Sequence, residues 1–212
     1  MIITVDGRNH KQHNALVDEM FCLRKRVFHD QLGWEVPLKD GREIDPYDDL
    51  DPVYVISVDD ATGRVRGSLR MMPTTGPHLM RDVFSAWFDK PVVFESAAIW
   101  EVTRFCVDPL WLRGHYTPRG QNLVTCELII AGCEVSARSG VNQLTTLSHM
   151  GMINAMRRIK CPHEIVATSD FPSTGKVHLG LWDVSDEIAM KLRAFTGLVE
   201  EATTFEPMRK AA

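Results

Sequence analysis

Two runs of strand-forming residues, Val53 to Val58 and Val65 to Met72, flank the turn-forming stretch Asp60-Ala61-Thr62-Gly63. That pattern is an antiparallel hairpin, and it fixes two neighbouring strands of a sheet. Beyond it, strand and helix patterns alternate. Ile99 to Val107 reads as a strand and Gln121 to Arg138 as a long amphipathic helix stopped by Gly140. Val141 to Ser148 reads as a strand, Gly151 to Lys160 as a helix, and Glu164 to Thr168 and Lys176 to Val184 as strands. Ser185 is placed to cap a last helix, with Asp186 and Glu187 in its first turn and Gly197 at its end. A hairpin joined to alternating strands and helices implies the α/β class, with one mixed twisted sheet covered by helices on both faces.

Upstream, Ile2 to Val5 makes a short first strand. Leu16, Met20, Leu23 and Val27 recur at helical spacing, which predicts a helix over 12–28, with Phe21, Arg24 and Phe28 on a neighbouring face. From Asp30 to Pro52 the chain carries eight acids together with Gly33, Pro37, Gly41 and Pro46, and no regular element fits. Loops of that length in compact domains are commonly functional. Trp34, Ile44 and Tyr47 argue for one that packs. Leu79 to Phe88 is expected to be a short helix.

At 212 residues the chain is sized for one domain, spanning 1–212. Its apolar runs are too short for a membrane span, and the N-terminus lacks the long apolar stretch of a secretory signal. The five cysteines form no C-x-x-C pair and do not cluster with histidines, so reduced thiols, no metal and a cytoplasmic setting are expected. The net charge of −4 argues against nucleic-acid binding. Charge is nonetheless uneven. Residues 30–60 hold ten acids and two bases, whereas 61–160 hold twelve bases and seven acids. That asymmetry suits a cationic ligand on one side and an anionic ligand or partner on the other.

Four constellations carry chemistry: LRKRVF (Leu23 to Phe28) followed by Gly33-Trp34; EIDPYDD (Glu43 to Asp49); SLRMMPTTGPHLMRDVF (Ser68 to Phe84); and IWEVTRF (Ile99 to Phe105). Each alone has an ordinary structural reading. In this order and spacing they resemble the acyl-homoserine lactone synthases, the LuxI-type autoinducer synthases of bacterial quorum sensing. The matching positions are Arg24, Phe28, Trp34, Asp45, Asp48, Arg70, Phe84, Glu101 and Arg104. The resemblance runs from residue 1 to about residue 165.

The resemblance implies a fold like that of the GNAT N-acyltransferases. It also implies an acyl transfer followed by a ring closure. The α-amine of S-adenosylmethionine attacks the thioester of acyl carrier protein (acyl-ACP) or coenzyme A (acyl-CoA), and the methionyl carboxylate then displaces the sulfonium. The products are an N-acyl-homoserine lactone and methylthioadenosine. Both reactants are substrates, and no cofactor is needed. The Q/R-x-x-G-x-G/A phosphate loop of GNAT enzymes is missing, and Leu110 to Gly120 reads LWLRGHYTPRG instead. Acyl carrier protein is therefore the expected donor, although Arg113 and Arg119 could also grip phosphates.

The residue chemistry fits S-adenosylmethionine independently. Asp45 and Asp48 suit its cationic end, and the acidic segment 30–52 is expected to be a mobile loop that closes over the S-adenosylmethionine site. Phe28 and Trp34 offer aromatic faces to a sulfonium or adenine, and Phe84 and Phe105 complete the expected substrate-binding set. Arg24 suits the carboxylate, which it can grip with two parallel hydrogen bonds. Glu101, in a central strand, is the expected general base, with Arg70 and Arg104 orienting the acids and backbone amides near Arg104 and Phe105 facing the oxyanion. Glu101 and Arg104 are three apart, so a regular strand would point them to opposite faces. A β-bulge near Val102-Thr103 would bring both to one cleft.

The acyl chain is expected between the central strands and the long helix, against Thr146, Ser148, Met150 and Met152. The Ser148 hydroxyl would suit a 3-oxygenated chain. Arg157, Arg158 and Lys160 form a basic cluster suited to docking an acidic carrier protein. The protein is expected to act as a monomer or weak dimer. Two rival readings are a GNAT-like N-acyltransferase using another amine and a non-catalytic acyl- or adenosyl-binding module. The acidic, aromatic loop separates the first from a lactone synthase, because a plain amine needs no sulfonium site. Glu101 separates the second, because a binder needs no base.

Overall fold

The computed structural model describes residues 1–171 and 175–198. Among them the strands are β1 (Ile2–Val5), β2 (Leu38–Lys39), β3 (Arg42–Glu43), β4 (Val53–Val58), β5 (Val65–Pro73), β6 (Ile99–Val107), β7 (Gln143–Ser148), β8 (Glu164–Phe171) and β9 (Gly175–Asp183). The α-helices are α1 (Asn14–Arg24), α2 (Leu123–Arg138), α3 (Met150–Arg158) and α4 (Asp186–Thr196). One seven-stranded sheet runs β1-β4-β5-β6-β7-β9-β8, and β2 pairs with β3 separately. Its pairs are antiparallel except β6 with β7, so the expected mixed sheet is the one observed.

The alternation in β4 sorts the two faces. Val53 and Val55 belong to a core with α2, α3 and α4, through Val124, Leu128, Ile130, Ile153 and Leu192. Tyr54, Ile56 and Val58 point the other way, onto Val17, Met20, Leu23 and Val27 from α1 and the turns after it. A side-chain period of two on a strand and an i, i+3, i+7 stripe on a helix thus build two hydrophobic layers on one sheet. No helix among the described residues is long and apolar enough to cross a membrane.

Local structure departs from the sequence expectations in several places. The helix predicted over 12–28 is α-helical only at Asn14–Arg24. A 3-10 turn precedes it at His10–His13, and the chain widens into a π-helical stretch, Lys25–Gln31, after it. The segment predicted as a short helix over 79–88 is a π-helical turn, Met80–Phe84, followed by a 3-10 turn, Ser85–Trp87. The long loop contains the β2–β3 ladder and a 3-10 turn, Pro46–Asp49. The turn is locked by a reciprocal cap, in which Asp45 accepts from the Tyr47 amide and Asp48 accepts from the Asp45 amide, both at 2.9 Å. The helix expected from Gln121 starts at Leu123, capped by Asn122, and Gly140 and Gly197 take the left-handed conformations expected at helix ends.

Two strand features open the sheet. The parallel pair β6–β7 is joined only from Ile99–Gln143 to Glu101–Thr145, after which the strands part. On its other side, the β5–β6 register shifts between Ser68 and Arg70, so that Arg104 and Phe105 together oppose Leu69. This is a β-bulge, and Arg104 sits in it at φ +54. The bulge required by the Glu101–Arg104 spacing therefore exists, at Arg104-Phe105 rather than Val102-Thr103.

Candidate active site

The bulge decides which side chains meet. Glu101 pairs with Met72 and Thr103 with Arg70, so both lie on the face covered by α1. In a regular strand Arg104 would follow Val102 to the opposite face. The extra residue turns it back, and its guanidinium meets Glu43 and Asp45 on the α1 side. A non-glycine residue at positive φ carries a conformational cost that the surrounding contacts must offset. Here those contacts are two buried carboxylates.

Arg24, Arg70 and Arg104 interlock with Glu43, Asp45 and Asp48. Arg24 grips Asp48 with two bonds of 2.8 Å and donates to Glu43 at 2.5 Å. Arg70 holds Asp45 at 2.6 and 3.0 Å, Asp48 at 2.8 Å and the Thr103 hydroxyl at 3.1 Å. Arg104 reaches Glu43 at 3.0 Å and Asp45 at 2.6 Å. The Tyr54 hydroxyl adds a 2.8 Å bond to Asp48. Three cations face three anions, so the cluster is formally neutral and its polar groups are paired, as burial demands. The side chain of Arg104 keeps 14% exposure, while those of the other five stay at 4% or less. Burial opposes the charge of Arg24, but Asp48 and Glu43 outweigh it and raise its pKa further. Burial likewise pushes the Asp48 carboxyl up, and Arg24 and Arg70 then pull it well below the usual carboxylate range.

Beside this cluster lies a cavity of about 1080 Å³. Phe28, Trp34, Asp45, Phe84, Glu101, Arg104 and Phe105 line it, as do Thr146, Ser148 and Met152. Arg24, Asp48 and Arg70 are not among its lining residues, and neither is Met150, which is exposed. The cavity has two chemical halves. At one end Phe28 and Trp34 stack at 5.4 Å with nearly parallel rings, beside Asp45, Arg104 and Tyr47. At the other, α2 and α3 supply Ile129, Gly132, Cys133, Met152 and Met156, with Leu144 and Trp182 from the sheet. There the Trp182 indole N–H donates to the Thr146 hydroxyl at 2.7 Å, and Ser148 donates to the same oxygen at 3.2 Å.

Glu101 lines the same cavity, at the last β6–β7 pair before the strands part. Its carboxylate accepts from the backbone amides of Leu79 and Met80 at 3.0 and 2.6 Å. Burial raises its pKa, and the two amides, His78 and Arg70 offset only part of that rise. The basic cluster is exposed at the end of α3, where Arg157 donates to His163. In sequence it is flanked by Met156 and Cys161, which line the apolar half, while Arg157, Arg158 and Lys160 themselves are not among the lining residues.

Four participants were not singled out as site residues from the sequence. Glu43 was one acid among many, and only the fold shows that it joins Arg24 to Arg104. Tyr47 lines the cavity and lies under Arg70, and burial, with help from Asp82, pushes its phenol up to about 12. Trp182 bounds the apolar half. His78 is wholly buried next to the Glu101 contacts.

The comparisons agree with this geometry. A family model described as "Autoinducer synthase" matches residues 8–192. An acyl-homoserine-lactone synthase of Rhizobium etli is 36% identical over 191 residues, covering 89% of this chain and 87% of that protein. The AHL synthase LasI superposes with a TM-score of 0.76 at 26% identity, over 95% of this chain and 98% of that one. A CoA-dependent acyl-homoserine lactone synthase, BjaI, solved with SAM and isopentyl-CoA, shares the fold with a TM-score of 0.85 at 22% identity, over 99% of this chain and 94% of that one. Motif order, bulged strand, two-part cavity and extended similarity converge, and the chain belongs to the autoinducer synthase family, the acyl-homoserine-lactone synthases.

Proposed function

We propose that the chain transfers an acyl group from acyl carrier protein to the amine of S-adenosylmethionine and closes the lactone, releasing methylthioadenosine. The observation that carries this is the two-part cavity, which has a charged, aromatic end, an apolar end and Glu101 in its lining. S-adenosylmethionine occupies the charged end. The face of Trp34 turned away from Phe28 takes its sulfonium or adenine. Arg104, the most exposed arginine of the cluster, takes its carboxylate. Asp45 faces the ammonium. Arg24, Arg70 and Asp48 act from behind: their bonds are spent on one another, so they fix Asp45 and Arg104 rather than touch substrate. That replaces the direct contacts expected for Arg24 and Asp48 with a supporting role.

The acyl chain lies in the apolar half, its carbonyl beside Glu101 and its third carbon near the Thr146 and Ser148 hydroxyls. Glu101 removes the proton from the amine. The bulge takes the amides of Arg104 and Phe105 out of the regular ladder, where they serve the oxyanion. Once the amide has formed, the carboxylate held by Arg104 attacks the carbon bearing the sulfonium. Closeness and alignment supply most of what ring closure needs.

The exposed cluster of Arg157, Arg158 and Lys160 supports an acidic carrier as donor. Side-by-side kinetics with acyl carrier protein and coenzyme A thioesters of one chain length test this. The carrier form is expected to win by about tenfold or more in kcat/KM, chiefly through association. Reversing Arg157 and Arg158 to glutamate should erase that advantage and leave the coenzyme A reaction unchanged. Equal or better turnover of the coenzyme A thioester, with no effect of the reversal, overturns the carrier assignment.

A further inference from the structure

The long helix α2 carries a glycine that its own packing does not require. Gly132 is buried in the helix interior. Glycine is among the least favourable residues there, because it loses the most backbone freedom on folding. Two structural needs ordinarily keep a buried glycine in place, a left-handed backbone and a close approach by another part of the chain. Gly132 has no positive φ. A β-carbon on it would meet, outside its own helix backbone and chain neighbours, one atom within 4 Å, Leu69 Cδ2 at 3.5 Å, which is ordinary van der Waals contact. Two other buried glycines differ. A β-carbon on Gly67 would lie 2.7 Å from the Cys106 carbonyl oxygen, and one on Gly180 would lie 3.3 Å from the Trp182 ring. The sheet itself therefore demands glycine at those two positions, whereas nothing in the protein demands it at Gly132.

What adjoins Gly132 instead is the cavity. Gly132 lines its apolar half, with Ile129 one helical turn back and Cys133 beside it, and Leu69 lines it from β5. Leu69 is also the residue that the Arg104-Phe105 bulge opposes. Gly132 and Leu69 thus form a low point in the cavity wall where α2 meets the opened part of the sheet. A fully buried side chain in a packed core touches many neighbours. A β-carbon with a single neighbour stands at the edge of a space that the protein leaves unfilled.

We propose that Gly132 is a specificity-determining residue: its missing side chain leaves the passage along α2 that the distal carbons of a long acyl chain occupy. The enzyme accordingly prefers long saturated chains, such as decanoyl and dodecanoyl, to butanoyl. A butanoyl chain, with its third carbon near Thr146 and Ser148, ends one carbon beyond them and makes no use of the passage. A longer chain packs its methylenes against Gly132 and Leu69 and gains apolar contact with each. A methyl group on residue 132 would take room from that chain, and closely packed walls do not yield without cost.

The inference rests on the acyl chain lying in the apolar half, as proposed above, and is tested by the chain-length profiles of Gly132→Ala and Gly132→Val with butanoyl through dodecanoyl thioesters of one carrier. The wild-type enzyme should turn over the long thioesters better than the butanoyl one. Gly132→Ala should lower kcat/KM for the dodecanoyl thioester relative to butanoyl by about tenfold or more, the usual worth of one methylene in an apolar pocket. Gly132→Val should lower it further. Butanoyl turnover and KM for S-adenosylmethionine should stay within about twofold, because neither uses the passage. Without substrate, the Tm of Gly132→Ala should rise by about 2–4 °C, since alanine favours the helix and has room for its methyl group. A more stable enzyme that has lost its long substrates is a result that damaged folding cannot produce. An unchanged profile, an equal loss at every chain length, a lower Tm in Gly132→Ala, or a wild-type preference for butanoyl overturns the assignment. Failure of the underlying reading looks different: the wild-type enzyme would then form no lactone from a thioester of any length.

Discussion

Arg104 Nη2 lies 2.6 Å from Asp45 Oδ2, and the contact joins the bulge of β6 to the capped turn of the acidic segment. A β-strand and a loop nearly sixty residues apart in sequence are thereby held in one geometry at the mouth of the charged half-cavity. Arg104 is also the arginine of the cluster that keeps some exposure. Replacing it with lysine preserves charge but not the two-pronged grip on a carboxylate. Arg104→Lys should raise KM for S-adenosylmethionine about tenfold, the loss expected of one charge-assisted hydrogen bond. Steady-state kinetics with varied S-adenosylmethionine check this, and an unchanged KM would move the carboxylate site elsewhere.

The buried cluster makes a stability prediction. Arg24→Met leaves Glu43 and Asp48 without their main partner inside the protein, and removing one member of a buried pair costs about 3–5 kcal/mol. Urea unfolding at pH 7 measures it. Asp48 also fixes the sign of the acid dependence. Its folded pKa is depressed below the ordinary value of 3.8, so its contribution is full above that value and drains away as pH falls toward the folded one. Wild-type stability should therefore decline below about pH 4, and part of that decline should vanish in Asp48→Asn.

Glu101 shifts the opposite way. Burial lifts its pKa above the ordinary 4.5, so it takes up a proton at a higher pH than a solvated glutamate would. The acid limb of kcat/KM should lie above that value and disappear in Glu101→Gln. The same variant should keep its fold and lose about 100- to 10,000-fold in turnover. An acid limb at or below 4.5 would place a different group in the base's role.

The acidic segment should respond to S-adenosylmethionine in two parts. Glu43, Asp45 and Asp48 are already clamped by three arginines, so amides over residues 43–48 should exchange slowly with or without ligand. The mobile lid expected of the whole segment 30–52 then narrows to residues 32–37, which line the cavity without joining the cluster. Hydrogen exchange with and without S-adenosylmethionine should show new protection there. Uniform slowing across 30–52 would restore the larger lid.

Much of this architecture was legible in the sequence, for stated physical reasons. The alternation Val53 to Val58 and the stripe Leu16, Met20, Leu23 and Val27 each bury one side, and periodicity reports burial directly. The Glu101–Arg104 spacing even required a bulge, because both residues matched one family motif but a flat strand would separate them. Its position two residues further along was not legible, since left-handed arginine has no local signature. The same limit applies to the ion cluster. Arg24, Glu43, Asp48, Arg70 and Arg104 come from five separate segments, and which charges neutralise each other is decided by tertiary pairing alone. Arg24 and Asp48 therefore read as ligands for substrate charges, and the structure pairs them with each other. The π-helical widening after Arg24 was likewise hidden, because the hydrophobic spacing through Val27 suits either helix.

The most direct test of the account is the stoichiometry of products from the purified enzyme with S-adenosylmethionine and an acyl thioester. Mass spectrometry should find N-acyl-homoserine lactone and methylthioadenosine in equal amounts, with one thiol released for each, and all three reduced together by about 100- to 10,000-fold in Glu101→Gln. An acylated S-adenosylmethionine that accumulates without methylthioadenosine, or thiol release with no acylated product, would contradict the claim that one cavity performs both acyl transfer and ring closure.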